Sequence, residues 1–330
     1  MLAVGLAEFG APEVLNVVHV AEPCAKRGEV LIRVVAATVN PTDTLFRAGK
    51  QAHLMTALTP PYIPGMEFAG YVHQLGESSS PLTRGQPVMG IVNPRRREGG
   101  TYAQYVCAPI ESVVPVSDTT DLAEAATVPM NGLTAKMAIE ALEPVPGDTI
   151  LVTGGAGAVG GYAIQLAKDA GLTVIADAKE SDVALLQQLG ADEVVPRGAS
   201  MFSAVRNRRP AGVDGLIDGA LLGDEAAGLV RDGGTIVSLR RTHDITDGRL
   251  RHRHVAVLDQ ATNTAALSWL SEVLRDGTLS PRVAIRLPMS DAVRAHRLVE
   301  QGGLRGRVVL MPDARAVSKA ERARAARSGS

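Results

Sequence analysis

The segment DTILVTGGAGAVGGYAIQLAKDAG, residues 148 to 171, decides how the rest of the chain is read. Its β-branched run TILVT predicts a strand. Gly155, Gly157 and Gly160 follow in the G-x-G-x-x-G spacing, with Ala158 and Val159 between the last two, and an Ala-rich stretch predicts a helix directly afterwards. In that context Gly155 permits a tight turn, Gly157 lets backbone N–H groups approach a diphosphate, and Gly160 lets the helix pack closely on the strand. The helix N-terminus then presents donors and the positive end of its dipole to the phosphates. Asp177 ends the next strand-like run, TVIAD, 22 positions beyond Gly155. A carboxylate at that distance accepts hydrogen bonds from an adenosine ribose, which favours NADH and repels a 2′-phosphate. Lys179, two residues on, can meet a 2′-phosphate, so the residues leave both coenzymes open.

Outward from this segment the hydrophobic rhythm changes twice. Residues 122 to 262 alternate short β-branched runs with Ala- and Leu-rich stretches, which predicts βαβ units and a parallel sheet with helices on both faces. Residues 1 to 121 carry short apolar runs broken by Gly and Pro, the pattern of strands joined by turns. From residue 263 a helix, a strand, a second helix and a final strand can return to complete the first domain. The expected organisation is therefore a dinucleotide-binding domain over 122–262 and a β-rich domain over 1–121 and 263–330, with 316–330 a loose tail.

Composition excludes several function classes. At 330 residues the chain is long enough for two cores. A formal net charge of -1 offers no field to gather nucleic acid or an anionic membrane, and 3% aromatic residues leave few platforms for stacking bases. Cys24 and Cys107, the only cysteines, cannot build a disulfide framework or a four-thiolate zinc site. With no leader-like start and no long apolar run, the expectation is a soluble cytoplasmic protein acting on a small molecule.

The flanking blocks VNPTDTLFRAG (39–49), PYIPGMEFAGYV (61–72), GGTYAQYV (99–106), AATVPMNGLTA (125–135), LGAD (189–192) and GGLRGRVVL (302–310), together with the glycine loop, resemble the medium-chain dehydrogenase/reductase superfamily in its quinone oxidoreductase and enoyl reductase branch. The resemblance covers most of residues 1 to 312. It implies an α/β architecture: a Rossmann doubly wound parallel sheet plus a GroES-like β-barrel domain, with a coenzyme held between them and homodimers joined through the Rossmann sheets. It also implies NADPH, since that branch usually uses it, with NADH as the alternative, and a carbonyl or quinone substrate.

Zinc-dependent relatives carry a Cys near Val39 and Asn40 and a His before the Glu of the GMEFAG block, where this chain has Met66. An amide and a thioether cannot replace thiolate and imidazole on zinc, so the expected reductase is zinc-independent. His252 and His254, on one face of a strand, lack a third ligand.

Asn40 matches the family's asparagine near the nicotinamide and is the first candidate donor to the substrate oxygen; stabilising the loop before Pro41 is an equal alternative. Asp43 and Arg47 are expected to pair structurally. No tyrosine falls within 45–51, where many quinone reductases place one, which leaves Tyr62 or water as proton donor. Thr134 matches a threonine beside the coenzyme, although a helix-start role suits it equally, and Asn131 is a second polar candidate from that helix. Asp218, Gly219, Leu239 and Arg240 follow predicted strands and are expected to line the coenzyme site, with Arg307 reaching it from the other domain. A zinc-free secondary alcohol dehydrogenase and a non-catalytic, redox-responsive NAD(P)H-binding protein are the alternative functions.

Overall fold

The computed structural model describes residues 1–76, 80–240 and 245–312, so the expected loose tail lies outside the described residues. The chain begins with β1 (Leu2–Gly5), β2 (Asn16–His19) and the long β3 (Glu29–Val39). Helix α1 (Pro41–Arg47) leads to β4 (Glu67–Leu75), β5 (Pro87–Ile91), β6 (Tyr105–Pro109) and β7 (Val113–Pro115). Helices α2 (Leu122–Ala125) and α3 (Val128–Leu142) precede an alternating stretch. It comprises β8 (Thr149–Thr153), α4 (Ala158–Asp169), β9 (Thr173–Ala178), α5 (Val183–Gln188), β10 (Glu193–Pro196), α6 (Ala199–Arg208), β11 (Val213–Asp218), β12 (Val230–Ser238) and β13 (Arg251–His254). Last come α7 (Thr264–Arg275), β14 (Val283–Pro288), α8 (Ala292–Gln301) and β15 (Arg307–Met311).

Two compact units result. One holds Met1–Met130, Ala261–Arg275 and the residues from Pro281 onward; the other holds Asn131–Gln260 and Asp276–Ser280. The division falls after Met130 rather than after residue 121, because α2 buries Leu122, Ala123 and Ala125 against the β3 and β4 side of the first unit.

The second unit is a six-stranded sheet in the order β10-β9-β8-β11-β12-β13, every neighbouring pair parallel. That is the Rossmann order, with its reversal between β8 and β11, where ligands collect at the carboxyl ends of the strands. The strands are short and β-branched, and Leu151, Ile175, Val195, Leu216 and Ile236 form the buried cluster beneath them. His252 and His254 lie on the edge strand β13, and both nitrogens of His252 are within hydrogen-bond distance of Ser238 Oγ or the Ile245 N–H. Among the described residues no group of three or more His, Cys, Asp or Glu could hold a metal, and no helix is long and apolar enough to cross a membrane.

In the first unit β3 pairs antiparallel with β4, β6 and β15, β4 with β5, and β5 with β7; β14 joins β15 in parallel. The carboxyl-terminal strands thus complete the amino-terminal sheet, as their apolar alternation suggests. The core contains Ile32, Phe68, Val88, Tyr102, Val106, Val308 and Leu310. Helix α1 was not legible as a helix in a block read as strands and turns. Pro41 at its first position needs no N–H partner, and the Asp43 carboxylate accepts the Asn40 N–H at 2.7 Å.

Helix α8 brings His296, fully buried, to 3.3 Å from the Tyr102 hydroxyl. Burial, reinforced by the positive charge of Arg47, pushes its pKa down to about 3. The unfolded chain takes up this proton near pH 6.5 and the folded chain only near pH 3, so His296 removes stability as pH falls between those values. Between pH 7 and pH 3.5 its contribution is a loss of about 4 kcal/mol. Urea titrations at the two pH values are expected to show a clearly smaller acid loss for His296→Gln than for the parent chain; equal losses would contradict the assignment.

Candidate active site

In the second unit β8 runs into a turn at Gly154, Gly155 and Ala156, and Gly157 is the N-cap of α4. The tight turn falls at Gly154, with φ +70°, one residue before the glycine expected to make it. Gly155 is instead constrained by packing: a Cβ there would come to 3.0–3.2 Å from Leu186, Ala176 and Ile164. A Cβ on Gly160 would stand 2.4 Å from the Gly154 carbonyl oxygen, so the helix rests directly on the turn. Gly160→Ala is therefore expected to destabilise the second unit by about 1–3 kcal/mol and to loosen the loop, read as a lower melting temperature together with weaker NADPH binding.

Asp177 does not present a free carboxylate. It is buried at the end of β9, and its Oδ1 accepts the Gly154 N–H at 2.5 Å. Burial raises its pKa, against the opposing hydrogen bond from Gly154 and the charge of Arg197. Arg197 follows β10; its N–H donates to the Ala178 carbonyl at 2.9 Å, which fixes it beside the end of β9, and its Nε lies 3.8 Å from Asp177 Oδ2. Lys179 and Arg197 are both exposed. Two cations thus stand where strands β9 and β10 end, while the carboxylate faces inward onto the glycine turn. This arrangement fits a coenzyme with a diphosphate and a 2′-phosphate, held by the loop and by these cations respectively. Arg197 escaped the sequence reading because the four-residue strand EVVP before it was not recognised.

At the strand-order reversal, Thr153 donates to Asp218 Oδ1 at 2.9 Å, and Asp218 Oδ2 accepts the Gly223 N–H at 3.0 Å. Asp218 therefore ties together the ends of β8 and β11, with Gly219 immediately beyond. Leu239 and Arg240 follow β12 and are half-buried. Asn131 and Thr134 lie on α3, both buried. Helix α3 begins at Val128, so Thr134 sits well inside it and the helix-start role does not apply.

The first unit contains a buried polar cluster. Glu67, fully buried on β4, accepts from Arg307 Nη2 at 2.9 Å and from Asn40 Nδ2 at 3.0 Å through Oε1, and from the Met130 N–H at 2.8 Å through Oε2. Thr38 donates to the same Oε1, and Arg307 Nη2 also reaches Asn40 Oδ1 at 2.7 Å and Thr38 Oγ1 at 2.9 Å. Arg307 is held by partners of its own unit. Asn40 is fully buried, its amide donating to Glu67 and accepting from Arg307.

Asp43 and Arg47 do not pair with each other. Asp43 accepts the N–H groups of Asn40 and Gly65, and burial pushes its pKa up to about 7; Arg47 turns to Glu300 on α8 at 2.5 Å. Tyr62 is half-buried, its ring stacked on Phe9 at 5.0 Å and its hydroxyl donating to the Leu58 carbonyl at 3.3 Å.

Two family models match: the alcohol dehydrogenase GroES-like domain over residues 26–118 and zinc-binding dehydrogenase over 189–310. The 2-methylene-furan-3-one reductase of Solanum lycopersicum is 31% identical over 321 residues, spanning 94% of this chain and 79% of that one. A solved structure, the quinone oxidoreductase from Coxiella burnetii, is 31% identical with a TM-score of 0.84, covering 94% of this chain and 99% of that chain. The chain belongs to the medium-chain dehydrogenase/reductase superfamily, in its quinone oxidoreductase branch. The NADPH-dependent alkenal/one oxidoreductase of Arabidopsis thaliana is a further member, 29% identical over 315 residues, spanning 93% of this chain and 78% of that one. Architecture follows the superfamily: a GroES-like unit and a Rossmann unit.

Although one matching model is named for zinc, the first unit's residues do not fit that metal. The carboxylate of Glu67 is occupied by a guanidinium, an amide and a backbone N–H, and Met66 precedes it. Cys107 is buried on β6, and among the described residues it joins no group of three or more His, Cys, Asp or Glu that could hold a metal.

Proposed function

We propose that the chain is an NADPH-dependent reductase of quinones and enones, enoyl thioesters included, that works without zinc. The observation that carries this reading is the exposed pair Lys179 and Arg197 at the carboxyl ends of adjacent strands, beside a glycine loop capped by Gly157. The inward turn of Asp177 supports NADPH over NADH, because the group that would repel a 2′-phosphate is engaged with Gly154. The names of the relatives support the substrate class: a furanone reductase, an alkenal/one oxidoreductase and quinone oxidoreductases.

The reduced nicotinamide, when bound, supplies the hydride. The chain's own residues bind and orient. Gly155, Gly157, Ala158, Val159 and Gly160 hold the diphosphate; Lys179 and Arg197 hold the 2′-phosphate; Asp218, Gly219, Leu239 and Arg240 shape the carboxyl-end crevice. Asn131 and Thr134 from α3 orient the nicotinamide. The Tyr62 hydroxyl, or water in its place, returns the proton, while Asn40 positions its buried neighbours. Edge strand β13 supports a homodimer formed sheet to sheet, and the formal net charge of -1 supports a small-molecule partner over nucleic acid or an anionic membrane.

Mixing the purified protein with NADPH or NADH and phenanthrenequinone, then with an enone panel, tests the reading. Oxidation of NADPH at least tenfold faster than NADH is the expected result. Coenzyme binding without turnover of any carbonyl would leave a redox-responsive binding protein in its place, and turnover of secondary alcohols alone would leave a dehydrogenase.

A further inference from the structure

The first unit contains a cavity of about 300 Å³ bounded by residues 57–63 and 94–99. Its lining includes the apolar residues Leu58, Pro61, Tyr62 and Ile63, with the Tyr62 ring fixed by its stack on Phe9, and the cations Arg96 and Arg97. Arg96 is pinned: its Nε donates to the Gly99 carbonyl at 2.9 Å and its Nη2 to the Cys107 carbonyl. These hydrogen bonds go to carbonyl oxygens, while the carboxylates of Glu98 and Glu29 act on its charge without a salt bridge to it among the described residues.

The carboxylate nearest in sequence, Glu98, turns instead to Lys26 at 3.4 Å. Arg97 is exposed and makes no ion pair among the described residues, and Arg95 is held by the neutral amide of Gln51 at 3.2 Å. Arg96 and Arg97 therefore line a cavity of small-molecule size; neither forms a salt bridge among the described residues, and Arg97 is the exposed one of the two. Guanidinium groups match the planar fork of an oxyanion, and apolar residues in the same lining favour a ligand with a hydrophobic body.

We infer that this cavity binds small molecules carrying an oxyanion head, carboxylate or phosphate ester, on an apolar body. The site belongs to the first unit alone and its occupancy requires no coenzyme. Tyr62, the proton donor of the proposed reaction, lines this cavity, so the inference deepens that reading; anion uptake is measured without coenzyme, and its failure leaves the reductase reading standing. If the ligand is also a substrate, the enzyme favours acidic enones or quinones over neutral ones.

Calorimetric titration of the full chain, without coenzyme, with benzoate, phenyl phosphate and neutral benzamide tests the inference. At least one anion is expected to bind at least ten times more tightly than benzamide, and the tighter of the two identifies the head group. Arg97→Ala, an exposed position whose loss leaves the fold intact, is expected to weaken that anion about tenfold and leave benzamide unchanged, as expected for removal of one charge-assisted contact. Arg294→Ala, an exposed arginine on α8, serves as the control and is expected to change neither. Equal affinity for benzoate, phenyl phosphate and benzamide, no uptake of either anion, or anion affinity unaltered in Arg97→Ala would overturn the proposal.

Discussion

Arg307→Ala is expected to lower the stability of the GroES-like unit by about 3–5 kcal/mol, the largest single-residue effect in the molecule. The carboxylate of Glu67 is fully buried, and the Arg307 guanidinium 2.9 Å away is the cation that balances it. Removing that cation leaves the buried carboxylate with the Asn40 amide, the Thr38 hydroxyl and the Met130 N–H but without the guanidinium that balances it. Thermal scans should show the transition of this unit falling by roughly 10 °C. The double variant Glu67→Gln/Arg307→Met, which removes both charges and roughly preserves volume, is expected to recover most of the loss, since breaking a buried pair costs more than replacing it. A loss below about 1 kcal/mol in Arg307→Ala, or a double variant no better than the single, would show that the cluster is not an ion pair balanced in this way.

The second large effect concerns coenzyme choice. Lys179→Ala and Arg197→Ala are each expected to weaken NADPH about tenfold, and the double variant about a hundredfold, consistent with charge-assisted contacts to a phosphate. NADH affinity is expected to stay within about threefold, because both side chains follow the ends of β9 and β10 and neither hydrogen-bonds to the glycine turn among the described residues. Parallel losses for NADPH and NADH would mean that these cations act on the fold of the strand ends. Asp177→Asn provides a complementary test. Since Asp177 accepts the Gly154 N–H, that change is expected to perturb the loop and weaken both coenzymes together.

Much of this architecture could be read from local patterns. The strand, glycine turn and helix at 148–171 declare themselves because a short β-branched run, a glycine-rich turn and a helical stretch follow one another without interruption. The turn glycine itself was displaced by one residue. The spacing fits Gly155, Gly157 and Gly160, but only the backbone shows that Gly154 takes the positive φ. Short elements were harder. Strand β10 has four residues, and with it went Arg197, whose meaning depends on lying beside the end of β9.

The buried cluster was the least legible feature, for a reason of topology. Glu67 and Arg307 are 240 positions apart, and each stands alone in an apolar run, GMEFAG and GRVVL. A single charge in a strand otherwise made of core residues implies an opposite partner, since an isolated charge would be expelled or neutralised. Which partner it finds is set by the antiparallel pairing of β15 with β3 and of β3 with β4, which no local pattern encodes. For Asn40 the sequence supports equally a donor to substrate and a stabiliser of the loop before Pro41; its hydrogen bonds to Glu67 and Arg307 depend on the same long-range pairing.

The claim on which the proposed chemistry rests is that the second unit takes up a phosphorylated nicotinamide coenzyme on its glycine turn and strand-end cations. Isothermal calorimetry of the purified chain with NADPH and with NADH measures this directly. The prediction is one site per chain, micromolar or tighter for NADPH and at least tenfold weaker for NADH. No heat of binding for either coenzyme, or a preference for NADH, would contradict it.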